Sequence, residues 1–340
     1  MKKVWITGMA ACVALCVSGA NAGAGESAKV KIGVSPVVSS AGIFLAYEKG
    51  YFKKEGIEAD LTYFKGSGAP MTALLGNGSL DVGAGNISAG LWNAINSGFG
   101  IKLVADKGRV SKECDYIGLL VRKDHVNSKR YKTFGDLKGF KMAVTAFGVS
   151  QQIAADKFLK TAGLGLDDVV FEKMDYAAMN AALESKNLDA TIQLEPYLTE
   201  AESKGIAVKV AGVNEVYPEQ QSAAILYSSQ FIKGRPDLAE KFMIAYLKGV
   251  RDYRDAFIKG KNKTEAIFLL KKHIKIDADD IWSKMIPAGI NPDGYLNKES
   301  LVEDTKWYQE HGFIDMPCDI EKAVDHTFVK KALARLGKLE

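Results

Sequence analysis

Hydrophobic and polar positions over residues 30–105 switch repeatedly between two periods. Residues 30–35 read as a strand, followed by a short polar loop, Ser35-Pro36-Val37-Val38-Ser39-Ser40. Ile43, Ala46, Tyr47, Gly50 and Tyr51 then recur at helical spacing, with Glu48, Lys49, Lys53 and Lys54 on the other face. Gly56 is placed to stop that helix, because glycine adopts φ > 0 without a steric penalty. Ile57, Ala59, Leu61 and Tyr63 alternate with Glu58, Asp60 and Thr62, which is the period of a strand. The loop Lys65-Gly66-Ser67-Gly68 leads to a helix with Pro70 in its first turn, where a missing N–H is tolerated. Small residues at 82–85 form a third strand, Asn86-Ile87-Ser88 opens a third helix, and residues 101–105 make a fourth strand. Strands alternating with helices imply parallel pairing. The loops after the strands, with the free N–H groups of helix starts, then face one crevice.

The second half repeats this pattern. Residues 116–121 are an apolar strand and 122–132 a polar linker. Then come a strand at 141–145, a loop at 146–150, a helix at 151–162, a strand at 169–173, a helix at 177–185 and a strand at 190–194. Phe52-Lys53 and Gly56-Ile57 recur as Leu159-Lys160 and Gly163-Leu164, while Met71, Ala73, Leu75 and Leu80-Asp81 recur as Met179, Ala181, Leu183 and Leu188-Asp189. Two sets at nearly one offset, each on matching elements, predict a structural duplication and hence two similar α/β lobes. A strand at 222–227 is a return crossing, and the remainder is helical over 237–258, 263–273, 277–286, 298–311 and 320–336. The predicted division is 1–22 as a leader, 23–118 as the first part of lobe 1, 119–224 as lobe 2, and 225–340 as a return to lobe 1 with C-terminal helices.

Composition changes this picture in three places. A content of 47% hydrophobic and 25% charged residues is that of a globular protein and excludes a mainly disordered chain. Met1-Lys2-Lys3, an apolar run from 4 to 19 and Ala20-Asn21-Ala22 form the pattern of a cleaved secretory signal. That run is shorter than the ~20 residues a membrane span needs. Cleavage after Ala22, leaving Gly23 first, is therefore expected. Removing Lys2 and Lys3 lowers the formal charge of +4 by two, a balance that argues against nucleic acid as a partner. Cys114 and Cys318 then remain in a chain bound for an oxidising compartment, so a disulfide between them is a candidate.

Five motifs in order resemble one family. They are Phe44-Leu45-Ala46-Tyr47-Glu48-Lys49-Gly50-Tyr51-Phe52-Lys53-Lys54-Glu55-Gly56-Ile57, Gly78-Ser79-Leu80-Asp81-Val82-Gly83, Asp136-Leu137-Lys138-Gly139, Glu195-Pro196-Tyr197 and Arg235-Pro236-Asp237. They are similar to the solute-binding proteins of ABC importers for nitrate, sulfonates, taurine and thiamine-pyrimidine precursors. The resemblance implies an α/β, two-lobe type II periplasmic binding protein fold with a two-strand hinge between lobes and a ligand in the cleft. It further implies a monomer in the periplasm, no cofactor, a small-molecule ligand, and delivery to an ABC permease in the inner membrane. The family often has proline just before its signature helix, where this chain has Ser40-Ala41-Gly42.

The candidate ligand contacts follow from the loops. Ser39, Ser40, Ser67, Asn86 and Ser88 open helices in the first lobe, where each could instead cap its own helix. Lys65 is the candidate cation. In the second lobe Phe147, Ser150 and Gln151 stand in the matching loop, and Phe147 and Tyr176 could stack on a planar ligand. Glu195 ends a strand, either facing the cleft or capping the helix begun by Pro196. Lys65 and Glu195 together would select a ligand with an acceptor-rich end and an amine-like end, such as a taurine-like molecule or an aminopyrimidine, over nitrate. Catalytic motifs are weak. His125, His273, His311 and His326 lack a second histidine at metal-binding spacing and read as surface or capping residues. Gly83-Ala84-Gly85 lacks the third glycine of a dinucleotide fingerprint, and no nucleophile elbow or P-loop occurs. The alternative is an enzyme resembling the thiamine-pyrimidine synthases, but those carry a cysteine cluster that this chain lacks.

Overall fold

The computed structural model describes Met1, residues 27–66, Gly68 and residues 70–339. Apart from Met1, the expected leader and its cleavage site lie outside the described residues, as does Ser67. Among the described residues ten strands form two sheets: β1 (Ala28–Val34), β2 (Ile57–Tyr63), β3 (Val82–Asn86), β4 (Lys102–Arg109), β5 (Ile117–Arg122), β6 (Lys141–Val144), β7 (Val170–Lys173), β8 (Ala190–Leu194), β9 (Ala207–Gly212) and β10 (Gln221–Tyr227). One sheet runs β2-β1-β3-β10-β4 and the other β7-β6-β8-β5-β9.

The two orders correspond strand for strand. β1 pairs in parallel with β2 and β3, as β6 does with β7 and β8. β10 lies antiparallel between β3 and β4, as β5 does between β8 and β9. The duplication read from the sequence is therefore a strand exchange, in which the fifth strand of each half completes the sheet of the other half. The chain changes sheets over residues 110–116 and again over 213–220. The expected limits at 118/119 and 224/225 fall inside β5 and β10 rather than at these crossings. Every residue of β5, β8 and β10 is buried, so both faces of these strands are covered and none shows the inside–outside alternation of a half-exposed strand.

β10 against β4 is not in simple register. Ala223 faces Gly108 while the next residue, Ala224, faces Asp106, so Lys107 is the extra residue of a β-bulge. The bulge turns the Lys107 side chain toward the loop after β1, where it is fully buried.

Several predicted elements come out differently. The helix expected from 43 to 55 is two, Ala41–Glu48 and Tyr51–Lys54, separated at Gly50 with φ +69°. The first packs on the long helix Pro236–Phe257 so closely that a Cβ on Gly249 would lie 2.0 Å from the carbonyl of Gly42. The polar linker at 122–132 contains a helix, Lys123–Asn127, and β9 was not expected. The C-terminal helix is also two, Ile320–Ala323 and Thr327–Leu336. Between them Val324 pairs with Leu103 on the edge of β4, and the Asp325 N–H donates to the Leu103 carbonyl. Tertiary pairing there outweighs helical continuity.

Cys114 and Cys318 are both free and buried, so the candidate disulfide is not formed. Cys114 packs against Gly289, whose partner Arg109 ends β4, whereas Cys318 is near Lys102 at the start of β4. At ~3.3 Å per residue, the length of that strand separates them by far more than the ~7 Å a disulfide allows. Among the described residues no helix is long and apolar enough to cross a membrane.

Candidate ligand site

The loops of the two sheets face each other, and along one flank they are joined. Ser88 and Val149 form an antiparallel bridge between the halves. The Ala89 N–H donates to the Gly148 carbonyl (2.7 Å), and the Ser150 N–H to the Ile87 carbonyl (3.2 Å). Gly148 has φ +64°, a conformation that suits glycine. Here the polar residues singled out in the sequence are already engaged. The Ser88 hydroxyl caps the helix Ala89–Asn96 by accepting from the Leu91 N–H (3.2 Å). The Ser150 hydroxyl donates to the Ser222 carbonyl (3.3 Å), and its own carbonyl accepts from the Gln220 amide (3.0 Å). Gln151 accepts from the backbone and hydroxyl of Thr145 and donates to the Ile192 carbonyl (2.7 Å). Phe147 is half-exposed and lies outside the cavity described below.

In the first loop Ser39 and Ser40 are likewise engaged, while the buried Ser35 hydroxyl has no hydrogen-bond partner among the described residues. The Ser40 hydroxyl donates to the Ser35 carbonyl (2.7 Å), and the Ser39 hydroxyl accepts from the Lys107 ammonium (2.9 Å). Burial holds the Lys107 amine down, at about 7. Its neighbour Asp106 is also fully buried, which pushes its carboxyl up although the N–H groups of Asn291 and Gly108 and the Gln221 amide donate to it.

On the other flank the two halves enclose a cavity of about 550 Å³. The first lobe contributes Pro36 and Tyr63, Phe64, Lys65 and Gly66 at the end of β2; the second contributes Asp175, Tyr176, Ala177 and Tyr197. Lys272, His273 and Lys275, just past the helix Lys263–Lys271, close one side. Tyr176 stacks on Tyr197 (centroids 5.8 Å apart) and receives the Asn86 amide on its hydroxyl (3.3 Å). The Tyr197 hydroxyl reaches the Pro36 carbonyl across the boundary (3.4 Å). Lys272 pairs with Glu48 (2.6 Å), whereas Lys65 and Lys275 have no carboxylate partner among the described residues. Asp175 is the one acid on the lining, and its carboxylate caps the helix Tyr176–Glu184 through the Ala178 N–H. The wall is thus aromatic and the rim carries excess positive charge, an arrangement that attracts an anion and buries an apolar body.

Of the residues picked from sequence, Lys65 and Tyr176 line this cavity, with Asn86 behind Tyr176. Glu195 does not face it. Its carboxylate is buried and accepts from the N–H and hydroxyl of Thr199 and from the Ile286 N–H, which makes it the cap of the following helix. Burial pushes its carboxyl upward in spite of those donors. His273, read as a surface or capping residue, is instead buried, stacked on Phe44 at 4.4 Å and hydrogen-bonded to Tyr63 and Glu48. Sequence reasoning missed Tyr63, Tyr197 and the Lys272–Lys275 segment; the basic cluster Lys271-Lys272-His273-Lys275 after a helix was the available signal.

Residues 23–268 match the model of the NMT1-like family. The chain belongs to that family. Among its relatives is a binding protein of Brucella abortus, 29% identical over 288 residues that cover 81% of this chain and 79% of the relative. An aliphatic sulfonates-binding protein of Bacillus subtilis is 28% identical, covering 98% of this chain and 97% of its own. Among solved structures, the alkanesulfonate-binding protein SsuA from Xanthomonas axonopodis pv. citri, bound to MOPS, superposes with a TM-score of 0.71 at 17% identity, over 88% of this chain and 99% of the other. That likeness makes this NMT1-like chain a periplasmic-binding-protein fold of two lobes.

Proposed function

We propose that the chain is the solute-binding component of an ABC importer, exported to the periplasm, and that it holds a small organic anion in the cavity between its lobes and delivers it to an inner-membrane permease. The observation that carries this reading is the convergence of Lys65, Lys272 and Lys275 on a cavity with aromatic walls, fed by both lobes. A ligand that touches both lobes favours the closed arrangement by its better affinity for that state. Relatives named for binding sulfonates support an anion. The amine-like end expected from Glu195 drops out, because that carboxylate is spent on Thr199 and Ile286. The reading needs no chemistry at the cavity, and a ligand-induced rise in melting temperature without turnover separates it from an enzyme.

Calorimetry with ethanesulfonate and benzenesulfonate tests the site. Saturable one-to-one binding that weakens in Lys65→Ala supports it; equal affinity in Lys65→Ala and wild type overturns it.

A further inference from the structure

A chain of three side chains stands in the cavity wall. The Tyr63 hydroxyl lies 2.6 Å from Nδ1 of His273, and Nε2 of His273 lies 3.0 Å from Oε1 of Glu48. The second oxygen of Glu48 accepts from the Lys272 ammonium at 2.6 Å. The His273 ring is held flat against Phe44 and edge-on to Tyr47, so it has little freedom to turn.

Hydrogen accounting fixes the direction of this chain. Glu48, paired with an ammonium, is an ionised carboxylate and offers acceptors alone. Nε2 of His273 must therefore carry the proton between them. Burial disfavours the imidazolium and holds His273 below its ordinary range, so at neutral pH Nδ1 is a lone pair. The Tyr63 hydroxyl then has to donate to Nδ1, and what its oxygen presents to the cavity is an acceptor. Lys65 and Lys275, in contrast, present donors alone. The cavity thus holds cationic donors for one end of a ligand and an oriented acceptor for another point on it. Phe64 and the stacked pair Tyr176 and Tyr197 line the same cavity, and the volume of about 550 Å³ suits a ring-bearing molecule.

We propose that the ligand is an aromatic anion whose ring carries a hydroxyl or amino group, and that Tyr63, oriented as an acceptor by His273 and Glu48, is the residue that reads this group. The proposal rests on the cavity being the solute site. It also gives the recognition a pH dependence. The groups facing His273 are Glu48 and Tyr47 from the helix Ala41–Glu48, Tyr63 from β2, and Lys272 beside it. When His273 gains a proton, Nδ1 becomes a donor to Tyr63, and the phenol hydrogen turns outward toward the cavity. A ring donor then loses its acceptor.

Calorimetry with ethanesulfonate, benzenesulfonate and 4-hydroxybenzenesulfonate, on wild type and Tyr63→Phe, decides the matter. Tyr63 is half-exposed and phenylalanine keeps its ring, and a thermal melt checks that the variant folds. Benzenesulfonate should bind more tightly than ethanesulfonate. The ring hydroxyl should add roughly 3- to 10-fold, the worth of one neutral hydrogen bond. That added factor should vanish in Tyr63→Phe, which should bind benzenesulfonate as wild type does, and should shrink in wild type as the pH is lowered far enough to protonate His273. Equal affinity for the two ring ligands, or a preference that survives Tyr63→Phe, overturns this inference and leaves the anion site standing. No binding of any of the three sulfonates overturns the anion site itself, and this inference with it.

Discussion

The two flanks of the boundary between the lobes are built from equivalent loops and behave in opposite ways. On one flank Ile87, Ser88 and Ala89 meet Gly148, Val149 and Ser150 through backbone hydrogen bonds, and the Ser88, Ser150 and Gln151 side chains all have partners inside the protein. On the other, the residues after β2 and those around Tyr176 and Tyr197 touch only through side chains and at Gly66, leaving a cavity on which Lys65 and Lys275 have no acidic partner among the described residues. The difference is one of saturation. A polar group that has met its hydrogen-bonding capacity within the fold contributes to stability, while one left facing a concave, half-apolar space has capacity for a ligand. Two lysines make the same contrast. Lys107 is walled in against Ser39, and Lys65 stands exposed at the cavity rim.

The largest expected effect tests the walled-in lysine. In the unfolded chain Lys107 keeps its proton up to 10.5, but in the folded protein only to about 7. Between those values unfolding takes up a proton, so the stability of the wild type should rise with pH across this window. The burden of burying the charge is fully present below about pH 7, with an upper limit on the order of 5 kcal/mol. Lys107→Met should remove that slope and be more stable than wild type at pH 6, by an amount reduced by the lost bond to Ser39. Parallel denaturant titrations at pH 6 and pH 9.5 check this, and identical pH slopes in the two proteins would contradict it.

Next comes the joined flank itself. Gly148→Val puts a branched side chain at φ +64°, with its Cβ about 3 Å from Ala89 and Phe313. Strain and overpacking together should cost about 2–4 kcal/mol, read as a fall in melting temperature. An unchanged melt would mean that this flank does not hold the lobes together.

A smaller effect sharpens the other side of the comparison. Lys65→Ala should weaken benzenesulfonate binding by about 1.5–3 kcal/mol, the range for a hydrogen bond to a charged group. Its melting temperature without ligand should not move, since Lys65 makes no ion pair among the described residues. A loss of stability equal to the loss of affinity would mean that Lys65 is structural.

The smallest is Ser150→Ala, for which the sequence suggested a ligand contact and the structure shows a bond to the Ser222 carbonyl. It should destabilise by about 0.5–1.5 kcal/mol and leave affinity for benzenesulfonate unchanged. A loss of affinity without a loss of stability would return Ser150 to the ligand site.

Much of this protein was legible in the residue order alone. The alternation of periods along 30–105 and again along 141–194 determined the α/β class, and the recurrence of Met71, Ala73 and Leu75 as Met179, Ala181 and Leu183 determined the duplication. These are local signals, because burying one face of a strand or helix writes its period into the chain. Which polar residues are free was not local. Ser88, Ser150 and Glu195 each look like a ligand contact until Leu91, Ser222 and Thr199 are seen to satisfy them. The extra residue that turns Lys107 inward is a matter of register between β4 and β10, which lie more than a hundred residues apart in the chain. Tyr63 meets His273 across a still longer separation, through β2 and a segment after the helix Lys263–Lys271. Only the tertiary structure could decide these, because whether a hydrogen-bonding group is spent or available depends on what the rest of the chain brings to it.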